Sequence, residues 1–332
     1  MMKALVTGAS GFIGSTLVET LVQKDFDVRV LMRRSSSAAN LEGMKYTRID
    51  GDLSDFESLK RAVQGTNYVF HLAGLTAARD EEVFFKANAA GTELLARAVS
   101  ETSGLPSRFV YISSLAAAGP SSSTEPRTED QVEKPVSAYG RSKLQGEREL
   151  FKYKDKFPIT IVRPPMVYGP KDKGVFVVIR TVNRGLMPIL KGSSSPDGHK
   201  YYSAVHVDDL CNGIMLAATS NDSLGEIFYI SGDGIYSYQE LLNTMARCLK
   251  KRGLRFSVPG GVIKAVAAGF SVIGAVTGGS FPINLDKVNE LIPDFWTCSN
   301  NKAKELLHFS PKFDLEIGMS QTIEWYKQKK WI

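Results

Sequence analysis

The sequence predicts an α/β fold: a doubly wound parallel sheet with a smaller, mostly helical C-terminal domain. Three observations predict it. Short β-rich runs alternate with helical patterns through the first half of the chain, the pattern of parallel strands joined by right-handed crossovers. Several of those runs are apolar without interruption, as strands buried on both faces require. After Arg163 the alternation fades, and the C-terminal third carries helical periodicity broken at Pro259, Pro282, Pro293 and Pro311.

The strands expected in the first half are Lys3–Thr7, Asp27–Met32, Lys45–Asp50, Tyr68–Leu72, Arg108–Ser113 and Ile159–Arg163. Helical spacing of apolar residues covers Gly14–Lys24, Phe56–Gln64, Phe84–Thr102 and Ala138–Tyr153 between them. A cluster of Gly, Ser, Pro and Asp over Lys191–Lys200 reads as a loop, and Tyr202–Val207 and Glu226–Ser231 read as further strands. The expected division is a sheet domain over 1–170 with 204–232 returning to it, and a cap built from 171–203 and 233–332.

Composition limits the alternatives. The chain has 332 residues, 43% hydrophobic and 23% charged, which is the profile of a folded globular protein rather than a disordered or fibrous one. Its net charge of +6 is spread along the chain, with the densest basic runs at Lys250-Lys251-Arg252 with Arg255 and at Lys327 with Lys329-Lys330. Neither run interleaves with aromatics, so both read as solvated surface and no nucleic-acid partner is expected. Cys211, Cys248 and Cys298 are widely spaced and form no CxxC, and the four histidines show no HExxH spacing. Neither a metal site nor a disulfide framework is expected. No leader precedes the first strand, which together with the cysteine pattern fits a cytoplasmic protein. The apolar run Val262–Val276 is short for a membrane span and is interrupted by Gly269 and Gly274. It reads as a buried or groove-lining helix, with contact at a membrane surface as the alternative.

Thr7-Gly8-Ala9-Ser10-Gly11-Phe12-Ile13-Gly14 follows the first strand and opens the first helix. Glycines at this spacing allow a tight turn and let a pyrophosphate approach bare backbone. The helix N-terminus then offers unpaired N–H groups and a positive dipole end to the anion. This is the phosphate-binding turn of a Rossmann sheet, and it implies a dinucleotide cofactor held by Gly8, Ser10, Gly11, Phe12, Ile13 and Gly14. At the end of the second strand an acid would accept from the ribose hydroxyl of NAD. The chain instead carries Met32-Arg33-Arg34. A guanidinium there pairs with a 2′-phosphate, so NADP is expected, chiefly through Arg33, with NAD possible. Asp52-Leu53 is positioned to meet the adenine, although Asp52 is equally suited to cap the helix starting near Asp55. Ala73-Gly74 puts small residues where the backbone would pass the cofactor.

Tyr139 and Lys143 stand one helical turn apart on one face. A lysine ammonium in that position is expected to lower a phenol whose ordinary pKa is near 10, making it a proton relay. Ser114 lies just beyond the fifth strand, at the carboxyl edge where open α/β sheets bind ligands, and can donate to a carbonyl oxygen. Ser113 is the alternative donor.

These segments resemble the extended short-chain dehydrogenase/reductases, the NAD-dependent epimerase/dehydratase family. The resemblance is carried by residues 7–14, Asp52-Leu53, His71-Leu72-Ala73-Gly74, Asn88 with Gly91-Thr92, Tyr111-Ile112-Ser113-Ser114, Tyr139 with Lys143, Arg163-Pro164, Val167-Tyr168-Gly169-Pro170 and His206-Val207-Asp208-Asp209-Leu210. It implies a catalytic triad of Ser114, Tyr139 and Lys143, and cofactor contacts that include Pro164 and, through the nicotinamide end, Tyr139 and Lys143. Asn88 is similar to the family's asparagine that supports a relay water, or else holds a helix start. The implied reaction is hydride transfer between nicotinamide and a carbonyl carbon of a small molecule. Homodimers through the tyrosine-bearing helix are common in the family.

Two enzyme branches are open. The Val28–Arg33 strand end resembles dihydroflavonol 4-reductase and 3β-hydroxysteroid dehydrogenase. Leu115 follows Ser114, where dehydratases carry an Asp-Glu pair for elimination. An apolar substrate is therefore expected. The alternative is a nucleotide-sugar epimerase or dehydratase, whose members often carry a phosphate-binding arginine shortly before the His-Val-Asp-Asp-Leu segment. Here that stretch reads Lys200-Tyr201-Tyr202-Ser203. His206 and Asp208 read as an ordering pair and helix cap. A third reading, a non-catalytic dinucleotide-binding sensor or assembly subunit, is disfavoured because Tyr139 and Lys143 are both present.

Overall fold

The computed structural model describes residues 1–123, 125–258 and 285–332. The Val262–Val276 run and the breaks at Pro259 and Pro282 lie outside the described residues. Chain order begins β1 (Lys3–Thr7), α1 (Phe12–Gln23), β2 (Asp27–Met32), β3 (Thr47–Asp50), α2 (Phe56–Val63), β4 (Tyr68–His71) and α3 (Glu81–Phe85). A π-type turn over Lys86–Ala90 leads into α4 (Gly91–Ser100), then β5 (Arg108–Ile112), α5 (Leu115–Ala118), α6 (Ala138–Phe151) and β6 (Ile159–Val162). The later elements are β7 (Met166–Tyr168), α7 (Gly174–Asn183), β8 (Leu186–Leu190), β9 (Tyr201–His206), α8 (Val207–Thr219) and β10 (Ile227–Phe228). They continue through β11 (Ile235–Ser237), α9 (Tyr238–Leu249), β12 (Leu254–Val258), α10 (Leu285–Leu291), β13 (Phe295–Trp296), α11 (Asn301–Leu307) and α12 (Leu315–Gln328).

Seven strands form one parallel sheet in the order β10-β6-β5-β4-β1-β2-β3. The order reverses between β1 and β4, and at that point the carboxyl ends of the strands open a crevice. Helices cover both faces. Leu17, Leu21, Leu210, Ile214 and Leu307 bring α1, α8 and α11 onto one side, and Leu59, Leu95, Val99 and Leu150 bring α2, α4 and α6 onto the other. The central strands are mostly apolar because both faces are buried: all of Arg108–Ile112 is buried, with Arg108 held by hydrogen bonds to Thr160, Ser223 and the Ser220 carbonyl.

The expected helix over Phe84–Thr102 is divided by the π-type turn, which places Asn88 where it bridges elements described below. The strand expected over Glu226–Ser231 is reduced to Ile227–Phe228 at the sheet edge. The remaining elements add short strands to their helices: β11-β9-β13 with β7 beside β9, and a separate β12-β8 pair. Helices α7, α9 and α12 pack around these through Ile179, Leu242, Met245, Met319 and Ile323.

Arg163, fully buried at the end of β6, anchors the helix that carries Tyr139 and Lys143. Its Nε and Nη2 donate to Glu147 of α6 at 2.9 and 2.5 Å, and Nη2 donates to Glu133 at 2.9 Å. Removing one partner of such a buried pair costs several kcal/mol, because the other charge is left uncompensated.

Candidate active site

The turn after β1 has no room for side chains at two of its glycines. Gly8 adopts φ +72°, and a Cβ there would meet the backbone nitrogen of Ala73 at 2.7 Å. A Cβ on Gly14 would meet the Gly8 oxygen at 2.2 Å. The turn is closed by the Gly11 amide donating to the Gly8 carbonyl at 3.1 Å, and is steadied by Asn40 Nδ2 donating to the Ser10 carbonyl at 3.0 Å. Helix α1 begins at Phe12 with no side-chain cap and no acid in its first turn. Its leading N–H groups and positive dipole end are thus left for an outside anion.

That turn opens onto a crevice of about 470 Å³, lined among others by Gly8, Ser10, Gly11, Arg33, Asp52 and Leu53. Ala73 and Gly74 form part of the same wall. Phe12 and Ile13 turn instead toward the core beneath α1. The structure separates the two arginines weighed for a 2′-phosphate. Arg33 lines the crevice, whereas Arg34 points outward, 3.9 Å from Asp50. Of the two roles weighed for Asp52, helix capping falls to a neighbour. Asp55 caps α2 by accepting from the Ser58 amide, while Asp52 lines the crevice and accepts from the Ser54 amide and hydroxyl at 2.9 and 2.6 Å. Those donors, the hydroxyl foremost, hold its carboxyl below the ordinary aspartate range. Lys86 also lines the crevice. No motif marks it in the sequence, since it precedes Asn88 in an otherwise ordinary helical segment.

A chain of hydrogen bonds with a single consistent direction ties the crevice wall together. Thr92 donates to the Asn88 carbonyl at 2.8 Å, so its oxygen accepts from His71 Nε2 at 2.9 Å. The bare Nδ1 of His71 then accepts from the Thr7 hydroxyl at 2.7 Å, and Thr7 accepts from the Ala73 amide at 3.2 Å. Burial first, then the Lys143 charge, push His71 down to about 3, so this tautomer stays neutral. The Asn88 side chain accepts from the Leu75 amide at 2.7 Å and donates to the Leu75 carbonyl and the Ser142 hydroxyl. It joins the loop after β4 to α6, a bridging role that differs from both roles weighed from the sequence.

At the far side of this wall stand the candidate triad residues. Ser114 caps α5, accepting from the Ala116 amide at 3.1 Å, and its hydroxyl is close enough to the Tyr139 phenol to oppose the rise of that phenol's pKa. Ser113, the alternative, has a buried hydroxyl with no partner among the described residues. Lys143 is 3% exposed, donates to the Ile112 carbonyl at 2.7 Å and lies 4.2 Å from the Tyr111 ring centre. Its ammonium also lies near Gly74, 3.8 Å from where a Cβ would stand. Pro164 is buried beside this group, its carbonyl accepting from the Leu115 amide at 2.9 Å.

The expected lowering of the phenol by Lys143 is not met in this structure. Burial is the largest cause and Glu290 adds to it, so Tyr139 is pushed up to about 12 despite the opposing effect of the nearby Ser114 hydroxyl. Lys143 is itself desolvated and falls to about 7, which weakens its influence.

Sequence reasoning missed α10 entirely. Asp286 accepts from the Ala138 amide at 2.6 Å and the Tyr139 amide at 3.3 Å, and Glu290 accepts from the Ser137 hydroxyl at 2.7 Å. Two carboxylates from the C-terminal third thus sit on the N-terminus of the helix bearing Tyr139, where the dipole favours them. A separation of about 150 positions gave no local signal. Lys200 is buried and also spent: its three donors go to the Ile292 and Pro293 carbonyls and to Asp294, at 2.8, 3.2 and 2.7 Å. His206 caps α8 and lies 3.6 Å from Asp208, the ordering role expected of it. Among the described residues no group of three or more His, Cys, Asp or Glu is arranged to hold a metal ion.

These features fit a dinucleotide: a turn packed so closely that Gly8 and Gly14 leave no room for a Cβ, an uncapped helix N-terminus, and a crevice lined by both polar and apolar groups. Comparison with known proteins agrees. The family model described as the NAD dependent epimerase/dehydratase family matches residues 4–231. Ceramide reductase of Caulobacter vibrioides is 29% identical over 331 residues, 98% of this chain and 95% of that protein. UDP-glucose 4-epimerase of Vibrio cholerae is 27% identical over 336 residues, 98% of this chain and 95% of that protein. The crystal structure of gox2253 superposes with a TM-score of 0.82 at 25% identity, covering 99% of both chains.

Proposed function

The chain belongs to the NAD-dependent epimerase/dehydratase family and is an enzyme of the extended short-chain dehydrogenase/reductase kind; from that premise we propose that it is an NADP-preferring reductase acting on the carbonyl of a small apolar substrate. Gly8, Ser10, Gly11 and Gly14 would hold the pyrophosphate at the start of α1, with Phe12 and Ile13 shaping the turn. Asp52 and Leu53 would meet the adenine, Arg33 the 2′-phosphate, and Ala73 and Gly74 would let the cofactor pass close to the backbone. Pro164 would border its nicotinamide end. The bound cofactor supplies the hydride.

The rest falls to the side chains. Tyr139 holds its proton at neutral pH because burial keeps the phenol near 12. It is then a donor suited to a carbonyl oxygen gathering negative charge, since an alkoxide is more basic than a phenolate. Ser114, close to that phenol, donates to the same developing charge. Lys143, protonated on the acid side of about 7, steadies the negative charge left on the Tyr139 oxygen.

The observation that carries the apolar-substrate reading is the state of Lys200. It stands in the stretch where sugar-nucleotide enzymes often carry an arginine for phosphate, yet all three of its donors are taken by Asp294 and two carbonyls. A buried ammonium so engaged has nothing left to offer a diphosphate. Leu115 after Ser114 removes the acid pair used for elimination, and the likeness to a ceramide reductase over 98% of this chain supports the same reading. A nucleotide-sugar epimerase is the second reading, favoured by the likeness to UDP-glucose 4-epimerase. Oxidation of NADPH with a panel of long-chain and cyclic ketones, set against epimerisation of UDP-sugars, tests the two. Turnover of the ketones is expected. Turnover of a UDP-sugar with none of the ketones would replace the first reading by the second.

A further inference from the structure

Strands β8 and β12 form a two-stranded parallel sheet apart from the main one, pairing Leu186 with Leu254, Pro188 with Phe256 and Leu190 with Val258. Paired residues share a face, and alternate residues along each strand face opposite ways. Met187 and Ile189 pack into the core around α7, α9 and α12. The other face therefore carries Leu186, Pro188, Leu190, Leu254, Phe256 and Val258, six apolar residues and no polar one. Among the described residues half of it lies exposed: Leu254 is 70% exposed, and Leu186 and Phe256 are each 41% exposed. Scattered exposed apolar side chains are ordinary, but a contiguous apolar sheet face calls for a partner.

The charge around this face selects the partner. Both strands run the same way, so the turns that feed them lie together, with the Leu254 amide donating to the Gly185 carbonyl at 2.8 Å. Those turns carry Arg184 on one side and Lys250, Lys251 and Arg252 on the other, all exposed. The sequence has no acidic residue from 241 to 258 or from 174 to 192. Among the described residues, none of these four cations has a carboxylate within ion-pair distance. The same turn borders a hollow of about 650 Å³, shared with Arg247, Arg255 and Asn243.

We propose that this apolar face and its basic rim dock the enzyme on an anionic phospholipid bilayer, with Leu254 and Phe256 entering the headgroup region and the Lys250–Arg252 turn meeting lipid phosphates. Apolar residues beside a cluster of cations are the combination that holds a protein in the plane of such an interface. The arrangement is independent of the reaction assigned above, and its test requires no turnover.

The full-length protein, saturated with NADPH, is sedimented with vesicles of pure phosphatidylcholine and with vesicles containing about 30% phosphatidylglycerol, at low salt and at about 0.5 M NaCl. Binding is expected to the anionic vesicles only, and to weaken with salt. The joint replacement of Lys250, Lys251 and Arg252 by Gln is expected to lower partitioning roughly 100-fold, about fivefold per cation. Leu254→Ser with Phe256→Ser is a second variant, expected to weaken binding at either salt. All three residues of the first variant and both of the second are exposed, so melting temperature and NADPH binding serve as controls that should not move. Equal binding to both vesicle types, wild-type binding by either variant, or no binding at all would overturn the proposal. So would conversion of a dimer to a monomer by Leu254→Ser with Phe256→Ser, which would assign the face to a second copy of the chain. Retention of an oligonucleotide without vesicle binding would assign the rim to nucleic acid instead, and would equally overturn it.

Discussion

Replacing Lys143 by methionine separates what the fold wants at this position from what the reaction requires. The side chain keeps its length and loses its charge. In the native protein Lys143 is 3% exposed and its amine is pushed from 10.5 to about 7, with burial as the main cause. A displacement of that size corresponds to roughly 4–5 kcal/mol against carrying a proton there. Because the folded value lies below the unfolded one, the unfolded chain binds more protons between about 7 and 10.5. Native stability therefore rises with pH across that window, and the full penalty is present below it. Methionine removes the penalty but leaves the Ile112 carbonyl without its donor at 2.7 Å, at a cost of about 1–3 kcal/mol. The variant should then be more stable than wild type by about 1–4 kcal/mol at pH 6, or a few degrees in melting temperature. By pH 9 the advantage should shrink by about 2–3 kcal/mol. Thermal melts at both pH values, paired with NADPH turnover, read the two effects. Turnover should fall while the melt rises, the usual relation between a strained functional group and stability. A variant that melts at or below wild type at pH 6 would refute the reasoning, because the buried ammonium would then not be the burden described.

Other perturbations report on separate parts of the site. Arg33→Ala should weaken NADP binding roughly 10- to 100-fold, the loss of one charge-assisted phosphate contact, and leave NAD within a few-fold; equal effects on both in a fluorescence titration would remove Arg33 from the 2′-phosphate. Gly8→Ala forces a side chain onto φ +72° and within 2.7 Å of the Ala73 nitrogen. Binding of either cofactor should be lost in calorimetric titration while a folded melt persists. Asp286→Ala removes acceptors from the Ala138 and Tyr139 amides; a stability loss of about 1 kcal/mol is expected from a lost helix-terminal carboxylate, with a few-fold fall in kcat and little change in KM. A pure stability loss with unchanged kcat would confine Asp286 to a capping role.

Much of the sheet was legible because its strands are buried on both faces. Lys3–Thr7 and Asp27–Met32 are found at the boundaries expected, and Arg108 and Ile159 each open a strand as read. Uninterrupted apolar runs of that length between helical patterns leave little ambiguity. The cofactor turn was legible for a different reason: glycine is required wherever a Cβ would collide, as at Gly8 and Gly14. The short strands β7, β8, β11, β12 and β13 were not read, since two to five residues partnered across long separations carry almost no local periodicity. The contacts of Asp286 and Glu290 with the start of α6 belong to the same class, being set by tertiary packing alone. Electrostatics was the least legible layer. The Tyr139–Lys143 spacing suggested an ammonium that lowers a phenol, and spacing does not register how far burial disfavours the charged form of each group.

The central claim is hydride transfer to an apolar carbonyl with Tyr139 supplying the proton. NADPH deuterated at the nicotinamide C4, incubated with the enzyme and a long-chain ketone, tests it most directly through the mass of the alcohol formed. The account predicts one deuterium at the carbinol carbon, and a fall in rate of roughly 10²- to 10⁴-fold in Tyr139→Phe with NADPH affinity unchanged. An alcohol without the label, or a Tyr139→Phe variant as fast as wild type, would contradict it.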